Sequence, residues 1–374
     1  MILILYILAL GLSSIHLYRK PIYATDSIQY MGNALLMEGT DVVRIHHRVY
    51  AELSRSVPES AHRVLIGDDP GASEDHNRSR RDRARDPYHF AEFLPLFAIR
   101  PLYNQTLWLL SKTGLGLVHS SVLISAASYF LMGILLFLWL GRYAGVVFSF
   151  TMALLLMMSP PLTELGRETT SDALATLVAF ASLYLIFERH LLVPGLSLIL
   201  ASIFFRTDFV VLAGPTIVAC WWERRIDWWK ASVLALLALV SVLGINYFAG
   251  DYGIGMLYYR NFVGTPIAPA EMTVQFSFRD YIPALRSGIT LASSSFFLPF
   301  LLLGTIGIVS RQTRVLLGVT VSYVFLHFLV LPNWQERWVG IFYLSAGVCA
   351  AATIRKAEES PTVVGNAIRT AMLT

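Results

Sequence analysis

Charged residues are scarce in this chain of 374 residues: Asp, Glu, Lys and Arg make up 14% of it, whereas hydrophobic residues make up 55%. Soluble domains carry about 25% charged residues. The mean hydropathy of +0.58 and the repeated apolar runs, several long enough to cross about 30 Å of hydrocarbon, exclude an ordinary soluble protein. The sequence therefore predicts an all-α polytopic membrane protein.

Cysteine is also scarce. Only Cys220 and Cys349 occur, both within apolar runs, so a structural disulfide is not expected. No group of residues has the short, regular spacing of a zinc site, and no internal repeat is visible. The net charge of +4 lies mostly in loops beside apolar runs, which indicates membrane topology and not nucleic-acid binding. The run 1–17 has neither the basic start nor the cleavage site of a signal peptide, so we expect an uncleaved first helix.

Ten apolar segments predict ten transmembrane helices in a single domain over residues 1–354, followed by a short cytoplasmic tail, 355–374. The predicted helices are 2–17, 117–140, 144–158, 171–187, 192–205, 209–222, 231–248, 285–309, 314–331 and 337–354. With the N-terminus in the cytoplasm, every inner loop carries basic residues, as the positive-inside rule requires. These residues are Arg142, Arg189, Arg224, Arg225, Lys230, Arg311, Arg314, Arg355 and Lys356.

Two loops on the extracytoplasmic side are long. The first, 18–100, begins with "ATDSIQYMGNALLMEG", in which Asp26 precedes a short amphipathic stretch. We expect interfacial helices in this loop. Its middle part, 52–87, is rich in charge, Pro, Gly and Ser, which predicts that this part is partly mobile. The second long loop, 249–284, is rich in aromatic residues and glycine.

Acidic residues and arginines from five chain segments fall on the extracytoplasmic side of this topology. Ionisable side chains at membrane depth are costly, so such a one-sided group indicates a functional site. Transfer of a sugar from a lipid phosphate needs a base for the acceptor hydroxyl and cations for the departing phosphate. Arginine suits phosphate because its planar fork donates two parallel hydrogen bonds. The group contains Asp26, Glu92, Arg100, Glu164, Arg167, Glu168, Asp172, Arg206, Asp208, Arg260, Glu336 and Arg337.

Structural roles remain open for several of these side chains. Asp26 and Asp172 could each cap the helix that follows, because Asp is a favoured N-cap residue. Asp26 would then start a helix whose apolar residues Ile28, Met31, Leu35 and Leu36 lie along one side. Arg206 and Asp208 are close enough in sequence to form a local ion pair. His119 and His327 are expected in the core or at an interface, and Arg337 could reach lipid headgroups.

The motifs "TDSIQYMGNAL", "LPLFAIRPLYN", "TSDALATLVAFASLYL", "FFRTDFVVL" and "WQERW" resemble, in order and placement, the GT-C superfamily of membrane glycosyltransferases. The similar branches are the protein mannosyltransferases, the aminoarabinose transferases and the transferases that modify lipopolysaccharide. The resemblance implies that Asp26 is the catalytic or metal-binding carboxylate and that Arg337 binds the lipid phosphate. A divalent cation is possible as a cofactor. However, Ser27 follows Asp26 where many relatives have a second acid, and a single carboxylate holds a divalent cation poorly. The remaining candidate substrate-binding residues are Arg206, Arg100, Tyr103, Glu168, Asp172, Tyr259 and Arg260.

These observations lead to the hypothesis of an inverting, hexosyltransferase-type enzyme with a GT-C-like bundle in a bacterial inner (plasma) membrane. Its donor would be a polyprenyl-phosphate sugar, its acceptor a glycan, lipid or protein, and its site would face away from the cytoplasm. One alternative is a transporter or flippase for a lipid-linked or anionic solute, because Pro160, Pro161 and Pro215 could break helices as in transporters. Another is a polymerase or ligase of lipid-linked polysaccharides.

Overall fold

The structure is a computed structural model that describes residues 1–250, 252–264, 266–272, 274, 277–308 and 310–359. This part of the chain is helical, and its one β-type pairing is a parallel bridge between Ile22 and Glu168. The predicted all-helical class is therefore confirmed. Helices α1 to α20 are, in order, Ile2–Arg19, Asp26–Leu36, Val42–Ser56, Glu59–Leu65, Glu74–Arg85, Pro87–Phe93, Pro95–Ala98, Pro101–Leu110, Leu117–Leu140, Val146–Met157, Pro160–Arg167, Asp172–Leu183, Leu192–Phe205, Val210–Trp222, Trp228–Ala249, Gly253–Tyr258, Phe278–Ser293, Phe297–Ile306, Arg311–Val330 and Gly340–Glu359.

Four of these helices, α1, α9, α15 and α19, are long and apolar enough to cross a membrane. Two pairs, α10 with α11 and α17 with α18, meet the same criterion together, but they bend by 64° and 62° at short breaks. The described chain therefore has four to six candidate spans. An integral membrane protein is consistent with this count.

Helices lie in all ten ranges predicted to span, but they do not all match the predicted form. The range 285–309 is not one helix, because the chain turns between α17 and α18. Pro215 does not break its helix, since α14 continues through it, whereas Pro160 begins α11 directly after a bend. Of the predicted tail, residues 360–374 lie outside the described residues, and 355–359 continue α20.

Two apolar clusters form the core. The larger one fills the bundle between α1, α9 to α15 and α18 to α20, with fully buried aromatic residues such as Trp139 and Phe180. The smaller one joins α2, α3 and α6 to α8 to the start of α9, around Phe90 and Tyr103. The short helices of the first long loop therefore form a cap with its own core on one end of the bundle.

Helix α2 is buried on every side and does not lie on a surface with one apolar face. All residues from Ser27 to Leu35 are buried, and only Leu36 of the predicted apolar stripe is exposed. A Cβ atom on Gly32 would lie 2.6 Å from Leu94 Cδ2 and 2.7 Å from Phe90 Cζ, so only glycine permits this approach. The helix is therefore buried inside the cap, which the spacing of its apolar residues alone did not predict.

The segment 52–87, predicted to be partly mobile, is mostly helical in the structure. It contains the end of α3 and all of α4 and α5. The Asn77 side chain joins the α4–α5 turn by accepting from Asp69 N at 3.2 Å and donating to Asp69 O at 2.7 Å. Polar side chains of this segment, such as Asn77, thus bond to its own backbone.

Charged pairs close the end of the bundle that holds the predicted cytoplasmic loops. Arg142 Nε lies 3.0 Å from Glu188 Oε1, and Arg311 Nε lies 2.6 Å from Glu223 Oε1. Arg225 donates to the Ile186 carbonyl at 2.8 Å. The side chains of Arg355 and Lys356 are outside the described part of the chain. The opposite end, at which α1 ends and α12 begins, is called the site end below.

Candidate active site

A cavity of about 600 Å³ opens at the site end between the cap and the bundle. Its walls come from the linker after α1, from α4 and α5 of the cap, from α11, and from the turns before α18 and α20. Four carboxylates line it, together with two arginines: Asp26, Glu164, Glu168, Glu336, Arg80 and Arg337. Trp334 and Tyr23 also line it. Such a mixture of aromatic and charged groups suits a polar ligand with a ring.

Asp26 lies at the start of α2, where its carboxylate reaches the cavity. It is the first helical residue and not the cap, since Thr25 precedes it with a helical backbone. Arg260 Nη2 donates to Asp26 Oδ1 at 3.2 Å, and the Asp26 side chain keeps 23% of its exposure. The capping role left open by the sequence is therefore not the role that the structure shows.

The charge on Asp26 is stabilised by arginines from four chain segments. Burial by itself would raise the pKa of this carboxyl group, but the arginine charges outweigh burial and hold the pKa below its usual value. These arginines are, from the largest effect to the smallest, Arg260, Arg337, Arg100 and Arg83. Asp26 is consequently a carboxylate at neutral pH.

Arg100 and Arg260 approach the same aromatic ring next to Asp26. The guanidinium carbon of Arg260 lies 4.7 Å from the centre of Phe97, and that of Arg100 lies 5.9 Å from it and 5.1 Å from the centre of Tyr30. The Nε and Nη1 atoms of Arg100 are buried and have no hydrogen-bond partner among the described residues. Burial, together with the charge of Arg206, lowers the pKa of Arg100 to about 10, so the side chain is still a cation at pH 7.

Tyr103 and Tyr259 are the two tyrosines predicted to bind substrate. Tyr103 is fully buried on α8, with its ring edge-on to Tyr30 at 4.9 Å. Its hydroxyl has no partner among the described residues. Tyr259 precedes Arg260 in the π-helical turn Tyr259–Val263 but is not among the residues that line the cavity. Neither tyrosine lines the cavity.

A continuous network of ion pairs extends from the cavity into the bundle. Arg337 binds Glu168 directly and lies 3.2 Å from Asp172 Oδ2. Arg206 lies 2.6 Å from Asp172 and 2.7 Å from Asp208, which confirms the local pair predicted from the sequence. His327 Nε2 ends the network 2.8 Å from Asp208 Oδ2, with only 3% of this histidine exposed. The network joins the ends of α12, α13 and α19 to the turn before α20.

The members of this network differ in what they can offer a ligand. Asp172 and Arg206 are almost fully buried and already paired, and Asp172 is an ion-pair partner here, not the cap that the sequence left open. Glu168 and Arg337 line the cavity. Burial raises the pKa of Glu168 to about 7, although the charge of Arg337 acts in the opposite direction. Arg337 is held between the carboxylates of Glu168 and Asp172.

The surroundings of Asp26 do not suit a divalent cation. Within the described ranges, no three His, Cys, Asp or Glu side chains are placed to hold a metal ion together. The group that contacts Asp26 is instead an arginine, at 3.2 Å. A metal ion needs several oxygen ligands and is repelled by neighbouring cations, so the arginines occupy the electrostatic role that a metal would have.

The sequence singled out five of the six charged residues that line the cavity but missed two arginines. Arg80 lines the cavity, and Arg83 acts on the pKa of Asp26. Both belong to α5, inside the segment predicted to be mobile. The spacing of Asn77, Arg80 and Arg83 by three residues was a usable signal, because such residues share one face of a helix.

Comparison of the chain with family models, with curated proteins and with solved structures gives no match.

Proposed function

We propose that this protein is a membrane glycosyltransferase of the GT-C kind. It transfers a sugar from a polyprenyl-phosphate donor to a glycan, lipid or protein acceptor on the extracytoplasmic side of a bacterial inner membrane. One observation carries the proposal: Asp26 lines a cavity at one end of an apolar helical bundle, pairs with Arg260 at 3.2 Å, and shares the cavity wall with Arg80 and Arg337. The five sequence motifs add the resemblance to this superfamily.

In the proposed reaction, the Asp26 carboxylate takes the proton of the acceptor hydroxyl. The oxygen of that hydroxyl attacks the anomeric carbon of the sugar. The bond from that carbon to the phosphate oxygen breaks on the opposite side, so the configuration inverts and polyprenyl phosphate leaves with the electron pair. Positioned cations stabilise the charge that develops on the departing phosphate. No metal-bound step is required by this scheme.

We assign a role to each arginine from the hydrogen-bond and ion-pair partners that it already has. Arg100 has buried N–H groups without partners among the described residues. Arg260 pairs with one carboxylate, that of Asp26. These two have donors left for a phosphate. Arg337 lines the cavity and adds a third donor set, oriented by Glu168 and Asp172. Arg206 is enclosed by two carboxylates, so we assign it a positioning role instead of the phosphate contact expected from the sequence.

The ten-span topology with the site outside the cytoplasm forms part of the same proposal. A lipid-linked donor keeps its polyprenyl chain in the bilayer, so its phosphate has to be bound at membrane level. The ion pairs around the cavity lie at helix ends, where a headgroup would meet water. Transport of a solute would instead favour charged groups near the middle of the bundle.

The first test is the exchange Asp26→Asn in proteoliposomes supplied with a panel of polyprenyl-phosphate sugars. Loss of a general base lowers rates by about 10²–10⁴-fold. The rate of polyprenyl phosphate release should therefore fall by about 10²-fold or more. Asp227→Asn is the control, because Asp227 is exposed and pairs with Lys230 away from the cavity. Both variants should elute as the wild type does on size exclusion. A folded Asp26→Asn protein with an unchanged rate would remove Asp26 from the mechanism.

A further inference from the structure

One wall of the cavity is built by the segment that the family resemblance does not cover. Val64 of α4 and Arg80 of α5 line the cavity together with Asp26. The α4–α5 hairpin is therefore part of the site and not a peripheral insertion. Its side chains lie where a ligand bound at Asp26 would extend.

The face of α5 that turns towards the site is firmly held. Arg83 donates from Nε to the Ser79 carbonyl at 3.1 Å, and its guanidinium carbon lies 4.4 Å from the centre of Phe93. With the amide of Gln29 oriented to satisfy both its neighbours, the amide oxygen accepts from Arg83 Nη1 at 2.8 Å. Because Gln29 lies on α2, one turn after Asp26, α5 is tied directly to the helix that carries Asp26.

Arg80 has donors left for a ligand. Its Nη1 atom bonds to Asp69 Oδ2 and to the Val64 carbonyl, each at 3.1 Å. Neither its Nε nor its Nη2 atom has a partner in the described part of the chain, although only 13% of the side chain is exposed. The pairing with Asp69 holds the guanidinium group through Nη1, and Arg80 lines the cavity with its Nε and Nη2 donors unused. A fixed arginine fork of this kind suits a planar or tetrahedral oxyanion.

We propose that Arg80 binds a phosphate or carboxylate group of a substrate, separate from the phosphate that leaves, and that α5 thereby selects substrates with such a second anionic group. This inference rests on the proposed function and adds a substrate requirement to it. The second group belongs either to the acceptor or to a donor with two phosphates. The experiment separates these sources.

The probe is inorganic phosphate, used as an inhibitor of polyprenyl phosphate release. With the donor saturating, the leaving-group site is filled, so the remaining inhibition reports the second site. Arg80→Gln removes a charged hydrogen-bond donor and should raise the inhibition constant for phosphate about tenfold or more. The control is Arg78→Gln on the exposed side of the same helix, where Arg78 only approaches Asp82 at 3.9 Å, and it should leave this constant unchanged.

The source of the anion follows from the pattern of inhibition. If phosphate competes with the acceptor while the donor is saturating, and if Arg80→Gln weakens this competition, the second anionic group belongs to the acceptor. Inhibition by phosphate that disappears when the donor is saturating, and that Arg80→Gln weakens when the donor is below saturation, assigns the second anionic group to the donor. An inhibition constant that Arg80→Gln leaves unchanged in both regimes overturns the proposal. Failure of the wild type to release polyprenyl phosphate at all would contradict the proposed function instead.

A purely structural role of Arg80 is tested with Asp69→Asn. This exchange weakens the bond that holds Arg80 but also removes the carboxylate that competes for it. A ligand-binding Arg80 predicts that Asp69→Asn keeps or lowers the inhibition constant for phosphate, in contrast to Arg80→Gln. Equal increases in both variants would show that Arg80 only holds the hairpin together, and the proposal would be wrong.

Discussion

Arginine side chains of the same type have different functions here because their partners differ. Arg206 has two carboxylates within 2.7 Å, so its charge is already neutralised inside the bundle. Breaking such a buried pair typically costs about 3–5 kcal/mol, which is consistent with a positioning role. Arg100 has buried donors but no carboxylate bonded to it in the described chain. The number of unused donors, and not the residue type, decides which arginine can bind a phosphate.

Glu168 supplies a prediction about pH. Its pKa is about 7 in the folded protein, raised chiefly by burial from an ordinary value of 4.5. Between these two values the folded protein holds a proton that the unfolded chain has lost, so stability falls as the pH rises from about 4.5 to 7. Over the whole interval the loss from this group is of the order of 3 kcal/mol.

The measurement is the midpoint of thermal unfolding in detergent for the wild type and for Glu168→Gln, at several pH values between 5 and 8. The carboxamide does not titrate, so the midpoint of the wild type relative to the variant should fall as the pH rises. A difference between the two proteins that stays constant with pH would contradict the raised pKa.

Among the elements, the α4–α5 hairpin forms two helices within the segment whose composition predicts partial mobility. A tight turn lets the two helices meet: Gly67 has φ +101°, and a Cβ atom there would lie 2.4 Å from the Asn77 carbonyl oxygen. The long polar run of α5 is stable as a helix because Ser73 caps it and Asn77, Arg80 and Arg83 bond inwards. Composition reports the mean polarity of a segment, whereas this hairpin depends on three inward positions.

The exchange Gly67→Ala should therefore destabilise the hairpin through both backbone strain and a steric clash. Gly114→Ala is a matched control, because Gly114 has φ +92° but no neighbour within 4 Å of a new Cβ atom. Left-handed strain alone costs about 1–2 kcal/mol, so Gly114→Ala should show no more than that. Protease cleavage between residues 52 and 87 should become faster only in Gly67→Ala. Equal cleavage of both variants would mean that the close contact at Gly67 is not needed.

At the scale of the whole molecule, the two ends of the bundle differ in their chemistry. The cavity with its four carboxylates lies at the site end, while Arg142, Arg225 and Arg311 are grouped at the other end. The positive-inside rule predicts that the latter end faces the cytoplasm. Because Cys220 and Cys349 are free but buried, single introduced cysteines can report the orientation.

We expect Arg78→Cys to react in intact cells with a membrane-impermeant thiol reagent, since Arg78 is exposed on the cap. Arg189→Cys, at an exposed position of the opposite end, should react only after the membrane is opened. The unmodified protein, with its buried thiols, is the background control. Labelling of Arg189→Cys in intact cells would reverse the orientation and would place the site in the cytoplasm.

Local signals in the sequence were sufficient for the helices and for most of the charged residues that line the cavity. Apolar runs predicted helices in all ten places because hydrocarbon demands continuous backbone hydrogen bonding. The cost of ionisable groups near a membrane singled out Asp26, Arg100, Glu168 and Arg337 without any knowledge of contacts. The break between α17 and α18 was not predicted, because hydropathy is averaged over a window and does not register a change of direction.

The sequence by itself determined the all-helical class, the positions of the apolar segments and the identity of the acidic and basic groups, since these depend on composition and short spacing. Only the tertiary structure decided which charges meet. It enclosed Arg206 between Asp172 and Asp208, brought Arg260 to Asp26 across 234 positions of chain, and turned α5 into a wall of the cavity. Such pairings depend on the packing of distant segments, and no local pattern in the chain encodes them.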